Sequence, residues 1–518
     1  MKIQSKKLIR PIVIAVASAI TLAGCSVTPE KLTKQQITEV IHHDKAFLYK
    51  DQEPIRGELS LSDVMARALV YNLEHRTQRM AQAVALGQFE LAKYDMLPSL
   101  NAQAATHSRS NVDASTSVNV YSGDDSDEPT SSQDQNSITA DLGLSWNVLD
   151  FGVSYYQAKQ EADRYLISDE SRKKVLLSLL HQAETVYWQA MTAQQLQKPV
   201  QVALNKSYQA LADIEKGIDA GIYPNLLRPL LLKKQMLTTI AELETLQESL
   251  AQARISLASL INAPLDHFPR LKEPESIQLP VISASMEEME LLALQNSTNL
   301  AEQIYSTRIE RLETRKALLS LLPGLQFNYD LKYDDNGYLM NNNWSEASVQ
   351  VSWNLMKLAS AGQTMENSEY REKLAEQKRL AVSMAVVTQL NLSLQKYKSA
   401  QKLLSRAEQL DNIEQQILQY STNSAAINSI SLVDQIKAEI GALQSRQSYL
   451  QTLVSAHESF GLVWVSLGLS PVPDGYQLMK LDDLSKYIDQ KLVTWRNGSL
   501  AAPLSVENRE QPVNEEQL

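Results

Sequence analysis

Apolar and polar residues alternate along Leu325–Tyr333: Leu325, Phe327, Tyr329, Leu331 and Tyr333 fall on one side, Gln326, Asn328, Asp330 and Lys332 on the other. A period of two is the mark of a strand with one apolar face. A second run sets Ala347, Val349, Val351, Trp353 and Leu355 against Ser348, Gln350, Ser352 and Asn354. Further upstream, Ile138, Ala140, Leu142, Leu144 and Trp146 alternate with Thr139, Asp141, Gly143, Ser145 and Asn147. Leu100–Ser110 is the weakest of the four runs, since Ala102 and Ala104 are only mildly apolar. The pattern predicts strands at about 98–110, 137–148, 324–334 and 346–356.

A spacing of three and four governs the segments between. Leu176, Leu179, Ala183, Val186, Ala190 and Ala193, then Val200, Leu204, Leu211 and Ile214, form one sustained heptad seam, with polar interruptions at Gln197 and Ser207. A second seam runs Met236, Thr239, Leu243, Leu246, Leu250, Ala253, Leu257, Leu260, and a third Val433, Ile436, Ile440, Leu443, Gln447, Leu450, Val454. Continuous from about Gly152 to Gly217, the first helix would be ~100 Å long at 1.5 Å per residue. Pro199 is expected to kink it without ending it.

These elements occur twice. Leu97-Pro98-Ser99-Leu100 returns as Leu322-Pro323-Gly324-Leu325, and Leu144-Ser145-Trp146-Asn147 as Val351-Ser352-Trp353-Asn354, in the same order. The chain is a duplicated helix-strand-strand-helix unit. Because proline disfavours the α region for the residue before it, Pro98 and Pro323 mark helix-to-strand switches. Gly152 and Gly362, shortly after each Trp-Asn, mark the return to helix. The domain reading is a leader over 1–24, a linker over 25–58, a first repeat over 59–263 and an inter-repeat segment over 264–285. A second repeat over 286–470 and a Pro-rich, polar C-terminal segment over 471–518 complete it, with 507–518 disordered.

The amino terminus sets the compartment. Lys2, Lys6, Lys7 and Arg10 precede an apolar stretch, Pro11–Leu22, too short to span a bilayer, which reads as an export signal. Leu22-Ala23-Gly24-Cys25 then resembles the bacterial lipobox, in which the cysteine is acylated and becomes the new amino terminus. Cys25 is the chain's one cysteine, so it has no internal disulfide partner. Acyl chains there would give stable membrane attachment, and Ser26, in place of the Asp that retains such lipoproteins at the inner membrane, points to the outer one. A formal charge of −11 argues against nucleic acid.

Strands of ~9–11 residues with one apolar face, one polar face and aromatics near their ends, in an exported chain, match a transmembrane β-barrel. Four strands cannot close, and an open edge is not tolerated in hydrocarbon; three copies make twelve, which closes. Segments 111–136 and 334–346 then become the outer loops. A pore-free periplasmic coiled-coil adaptor or structural lipoprotein is the competing reading from heptads alone, but it has no use for paired lipid-competent hairpins.

The sequence presents no HExxH, GxSxG, Walker A or paired-cysteine motif, so no enzyme, cofactor or metal site is expected. His42-His43 has no third ligand signal nearby. Ser393-Leu394-Gln395-Lys396 fits SxxK, a match expected by chance in a Ser- and Lys-rich helix.

Lipobox, duplicated units, Leu-Pro switches and heptad hairpins together resemble the TolC family of outer-membrane efflux proteins, in its lipid-anchored branch, over about residues 59–470. The resemblance implies a mainly α homotrimer with a small β part: a 12-stranded barrel in the outer membrane continued by a long periplasmic α-helical barrel. It implies 59–96 and 225–263 stacked as short helices beside the long one, 286–322 and 432–469 likewise, and a belt formed by 266–285 and 471–518. The implied function is the exit duct of a tripartite efflux or type I secretion system, opened at its periplasmic tip by an adaptor and fed by an inner-membrane transporter, either a proton-driven pump or an ABC exporter. The family's tips carry a Gly and, six residues later, an Asp between apolar residues. Leu432-Val433-Asp434 fits, with Asn428 at the Gly position; in the first copy Gly221 is kept, but Leu227 stands where the Asp would. Threefold symmetry would turn Asp213, Glu215 and Asp219 into acidic rings at the entrance, which attract cations.

Overall fold

A computed structural model of the chain describes residues 29–498 except 51, 127, 266–268, 274–278 and 427–431. The export signal, Cys25, Asn428 and 507–518 lie outside the described residues. The chain separates into two compact units, Met1–Pro54 and Ile55–Leu518, so both repeats share one unit rather than forming a domain each.

The first unit holds α1 (Lys34–Phe47), which carries His42 and His43. Its start is fixed by a capping box: Gln36 N donates to Thr33 Oγ1 at 3.2 Å, and Thr33 N to Gln36 Oε1 at 2.9 Å.

The second unit runs α2 (Leu61–Tyr71), α3 (Leu73–Tyr94), β1 (Ser99–Ser108), β2 (Asp113–Ser115), β3 (Thr130–Gln133), β4 (Asn136–Asn147) and α4 (Val148–Asp219). After α5 (Leu227–Leu260), the second copy repeats the order: α6 (Met286–Asn296), α7 (Thr298–Leu319), β5 (Gly324–Asp334), β6 (Asn343–Ser352), α8 (Leu355–Ala359), α9 (Ala361–Ala426) and α10 (Leu432–Ser466). A 3-10 turn (Tyr476–Leu478) and α11 (Leu481–Arg496) close it. None of the described helices is long and apolar enough to cross a membrane.

Helix α4 has 72 residues and continues through Pro199, ~108 Å at 1.5 Å per residue. Its predicted seam is its buried face: Leu176, Leu179, Ala183, Val186, Ala190, Ala193, Val200, Leu204 and Ile214 are all buried, Leu211 partly. The α5 seam and the described part of the α10 seam are buried in the same way, apart from half-buried Ala253 and Gln447. Knob-bearing faces therefore define which helices meet. Both α3 and α5 pack on α4, which packs on α7 and α10, and these two pack on α9. Against this layer α2 lies on α4, α11 on α2 and α6 on α9.

Where the α5 and α10 chains stop, they stop alike. Ala263 N bonds Ala258 O at 2.7 Å and Leu469 N bonds Trp464 O at 3.0 Å, Schellman closures that put Asn262 (φ 53°) and Gly468 (φ 65°) in the left-handed region. Asn72 Nδ2 then donates to Leu260 O and Asn296 Nδ2 to Leu467 O, both at 3.2 Å, so the ends of α5 and α10 are tied to the α2–α3 and α6–α7 junctions.

Pro98 and Pro323 each stand one residue before a strand. The opposite switch is made by asparagine rather than by Gly152 and Gly362, which lie inside α4 and α9. Asn147 Oδ1 accepts from Leu149 N at 2.9 Å, and Asn354 Oδ1 from Met356 N at 3.1 Å, so the repeated Trp-Asn is a strand end followed by an N-cap. For that reason β6 ends at Ser352, short of the expected 356, and begins earlier, at Asn343. Trp353 is held outside the ladder by its Nε1 donating to Leu321 O at 3.0 Å. The first predicted outer loop is not wholly irregular, since β2 and β3 pair within it as a small hairpin.

Candidate functional site

The four long strands form one antiparallel sheet in the order β1-β4-β5-β6, so β4 and β5 join the two copies. Register aligns their faces. Leu100, Leu144, Tyr329 and Ala347 lie in one cross-strand row, Trp146, Phe327 and Val349 in the next, and Leu325 pairs with Val351. On the other face Ser145 Oγ donates to Asn328 Oδ1 at 2.8 Å, Asn328 Nδ2 to Ser348 Oγ at 3.2 Å, and Gln326 Nε2 to Ser145 Oγ at 3.0 Å. Lys332 and Glu346 form an ion pair at 2.8 Å on the same side. Trp344, opposite Lys332, also falls on this polar face because β6 starts earlier than its alternation suggested.

Burial runs against the rule for water-soluble sheets. Along β5 the apolar Phe327, Tyr329, Leu331 and Tyr333 are exposed, whereas Asn328, Asp330 and Lys332 between them are half-buried. Leu100, Val349 and Val351 are 65–68% exposed. A contiguous exposed apolar surface of this kind marks contact with lipid or protein. Both β1 and β6 have only one strand neighbour among the described residues, leaving two open edges.

The far end of α4 carries the predicted tip residues. Gly221 (φ 67°) closes the helix: Ile222 N bonds Gly217 O and Gly221 N bonds Ile218 O, each at 3.1 Å. Tyr223 lies so close to Gly217 that an added Cβ would meet its ring at 2.7 Å. Glu215 pairs with Lys233 of α5 at 2.7 Å, Asp213 approaches Lys216 at 3.8 Å, and Asp219 is the exposed last residue of α4. Asp434 sits in the first turn of α10, where the helix dipole favours a carboxylate. Lys233 and Lys206, which reaches Glu439 of α10 at 2.6 Å, were not distinguishable in the sequence from other surface lysines.

Three buried polar clusters also escaped the sequence reading. Asp163 of α4 accepts from Arg308 Nε of α7 at 2.8 and 2.9 Å. Glu184 of α4 accepts from Trp464 Nε1 at 3.3 Å and lies 3.8 Å from His457 Nδ1, while Trp188 stacks on the His457 ring at 3.9 Å. Gly461 makes this α4–α10 crossing possible, since a Cβ there would stand 2.3 Å from His181 Nδ1. His75 is fully buried, its Nδ1 3.0 Å from Leu69 O and its Nε2 3.0 Å from the Tyr476 hydroxyl. Burial holds its pKa below the usual value against the opposing Leu69 carbonyl bond, helped by Arg79 and Arg172. The backbone carbonyl fixes the proton on Nδ1, so Nε2 accepts from Tyr476. Among the described residues no group of three His, Cys, Asp or Glu side chains is placed to hold a metal ion.

Residues 64–263 match the family model described as outer membrane efflux protein. The first repeat carries the outer membrane efflux protein signature. Fold similarity extends beyond that signature. The transmembrane channel CusC superimposes with a TM-score of 0.61 at 17% identity, covering 81% of this chain and 96% of its own. The CmeC outer membrane channel of Campylobacter jejuni gives 0.62 at 13%, covering 90% and 94%, and the outer membrane protein VceC of Vibrio cholerae 0.59 at 14%, covering 79% and 96%. At these identities the likeness is one of fold. No curated protein matches the sequence.

Proposed function

We propose that three copies of this chain form a passive exit duct through the outer membrane, serving a tripartite efflux or type I secretion system. The observation that carries this reading is the inverted sheet: its apolar face is the exposed one, its polar face carries a hydrogen-bonded ladder, and both edges are open. Hydrocarbon accepts such a sheet only once its edges pair, and twelve strands from three chains satisfy every backbone group. The same edges continue into the helices, with α3 leading into β1 on one side and β6 into α8 and α9 on the other. The efflux-protein signature and the fold shared with outer membrane channels support it.

In this reading Cys25 carries the lipid that anchors the chain to the outer membrane, and the helical part crosses the periplasm. Adaptor docking at the tip, around Gly221, Asn428 and Asp434, opens the entrance to an inner-membrane transporter, and Asp213, Glu215 and Asp219 line the approach. Transport is driven by that transporter, and the duct catalyses no reaction. A pore-free coiled-coil lipoprotein leaves the exposed apolar sheet without a partner. Planar-bilayer recording of the purified protein decides: the duct gives trimer-sized, heat-modifiable migration and conductance that rises in Asp434→Ala. A monomer without conductance in either form would overturn it.

A further inference from the structure

Where α10 ends and α7 begins, a cleft of about 800 Å³ opens between α4, α7, α9 and α10, within the range of small-molecule sites. Its walls include Leu177, Val382, Val386 and Val465. Into it projects Glu302, half-buried, whose carboxyl group has no hydrogen-bond or ion-pair partner among the described residues. Lys174 lines the same cleft and its charge reaches Glu302, while its Nζ donates to Asn299 Oδ1 at 2.7 Å. Gln303, Ser306 and Gln389 add neutral donors and acceptors to the lining.

We propose that this cleft binds an amphipathic organic amine, its apolar body against the valine and leucine wall and its protonated nitrogen on Glu302. An anion would meet an unpaired carboxylate. A purely apolar ligand would leave that carboxylate both desolvated and unpaired, the costliest arrangement for a charge. Burial pushes the Glu302 pKa above the usual carboxylate value, with Lys174 opposing and Glu170 reinforcing the shift, so Lys174 does not fully offset the burial of this charge. An ammonium group supplies one. Because α4 belongs to the first copy and α7, α9 and α10 to the second, the bound amine would bridge the two.

The inference does not rest on the duct reading, and conductance recorded without amine tests that reading separately. The probe is dansylcadaverine, a fluorescent amphipathic amine, titrated by anisotropy into the full-length protein in nanodiscs, with the uncharged N-butyl dansylamide as control. Saturable binding of one amine per chain is expected. Glu302→Gln should weaken it by ~10–150-fold, the loss typical of one charge-assisted hydrogen bond, and leave the uncharged analogue unchanged. Ala385→Trp, which fills the cleft mouth, should abolish it. Binding no greater than to empty nanodiscs, or equal amine affinity in Glu302→Gln, overturns the proposal. Circular dichroism checks that each variant folds; if Ala385→Trp does not, Glu302→Gln decides alone.

Discussion

Ala347 and Ser348 are neighbours at the middle of β6, both exposed, one on each face of the sheet. Replacing either with arginine removes no core packing, and in a water-soluble sheet such surface changes stay within about 0.5 kcal/mol. The membrane reading separates them. Strands of 10–12 residues rise ~34–41 Å and, tilted ~40°, span a band of ~25–30 Å. Ala347 then faces hydrocarbon near mid-depth, where arginine costs ~2–4 kcal/mol per subunit, or ~6–12 kcal/mol over three. Ser348→Arg forfeits the bond from Asn328 Nδ2, ~1 kcal/mol, while its guanidinium stays in water. Urea unfolding from liposomes, followed by tryptophan fluorescence and trimer mobility, measures both. Ala347→Arg should lose the trimer at a denaturant concentration where Ser348→Arg keeps it. Coincident unfolding, or a larger loss in Ser348→Arg, would refute the assignment of faces.

Asn147→Ala should destabilise the protein by ~1 kcal/mol through the lost N-cap, and Asn354→Ala by less, since it caps the five-residue α8; chemical denaturation measures both. Gly468→Ala should cost more than ~2 kcal/mol, because its Cβ would sit 2.5 Å from Asn296 O at φ 65°, whereas Asn262→Gly, at the matching helix end, should be near neutral by the same assay. His75 is buried neutral with a lowered pKa, so the unfolded chain binds more protons below pH ~6.5 and stability falls as pH drops through that value. Urea midpoints at pH 7.5 and pH 5 should therefore converge in His75→Gln relative to the parent, and an unchanged difference would exclude His75 as the source.

Periodicity revealed the elements because each element buries or exposes one face along its length. The α4 seam read from Leu176 to Ile214 is the buried face found, and β5 occupies 324–334 as its alternation indicates. Register did what alternation could not: pairing with Lys332 put Trp344 on the polar face, against its hydropathy. Trp353 and Leu355 keep the alternating pattern past the strand end at Ser352, where Asn354 caps a helix, since a cap depends on one side chain and no periodicity reports it. Asp163–Arg308 and Glu184–His457 join helices 145 and more residues apart, and single charged residues within long polar helices carry no local mark of such partners. The cleft around Glu302 depends on where α10 stops and α7 starts, which only their packing determines.

The pairing of β4 with β5 also imposes an order in time. Ser145 and Asn328, bonded across that seam, are 183 residues apart, so in the proposed export to the outer membrane the first hairpin would emerge well before β5 reaches it. Throughout that interval the β5-facing edge of β4 stays unpaired and Leu142, Leu144 and Trp146 lack lipid to cover them, which in the duct reading would make the emerging chain a client for periplasmic holdases.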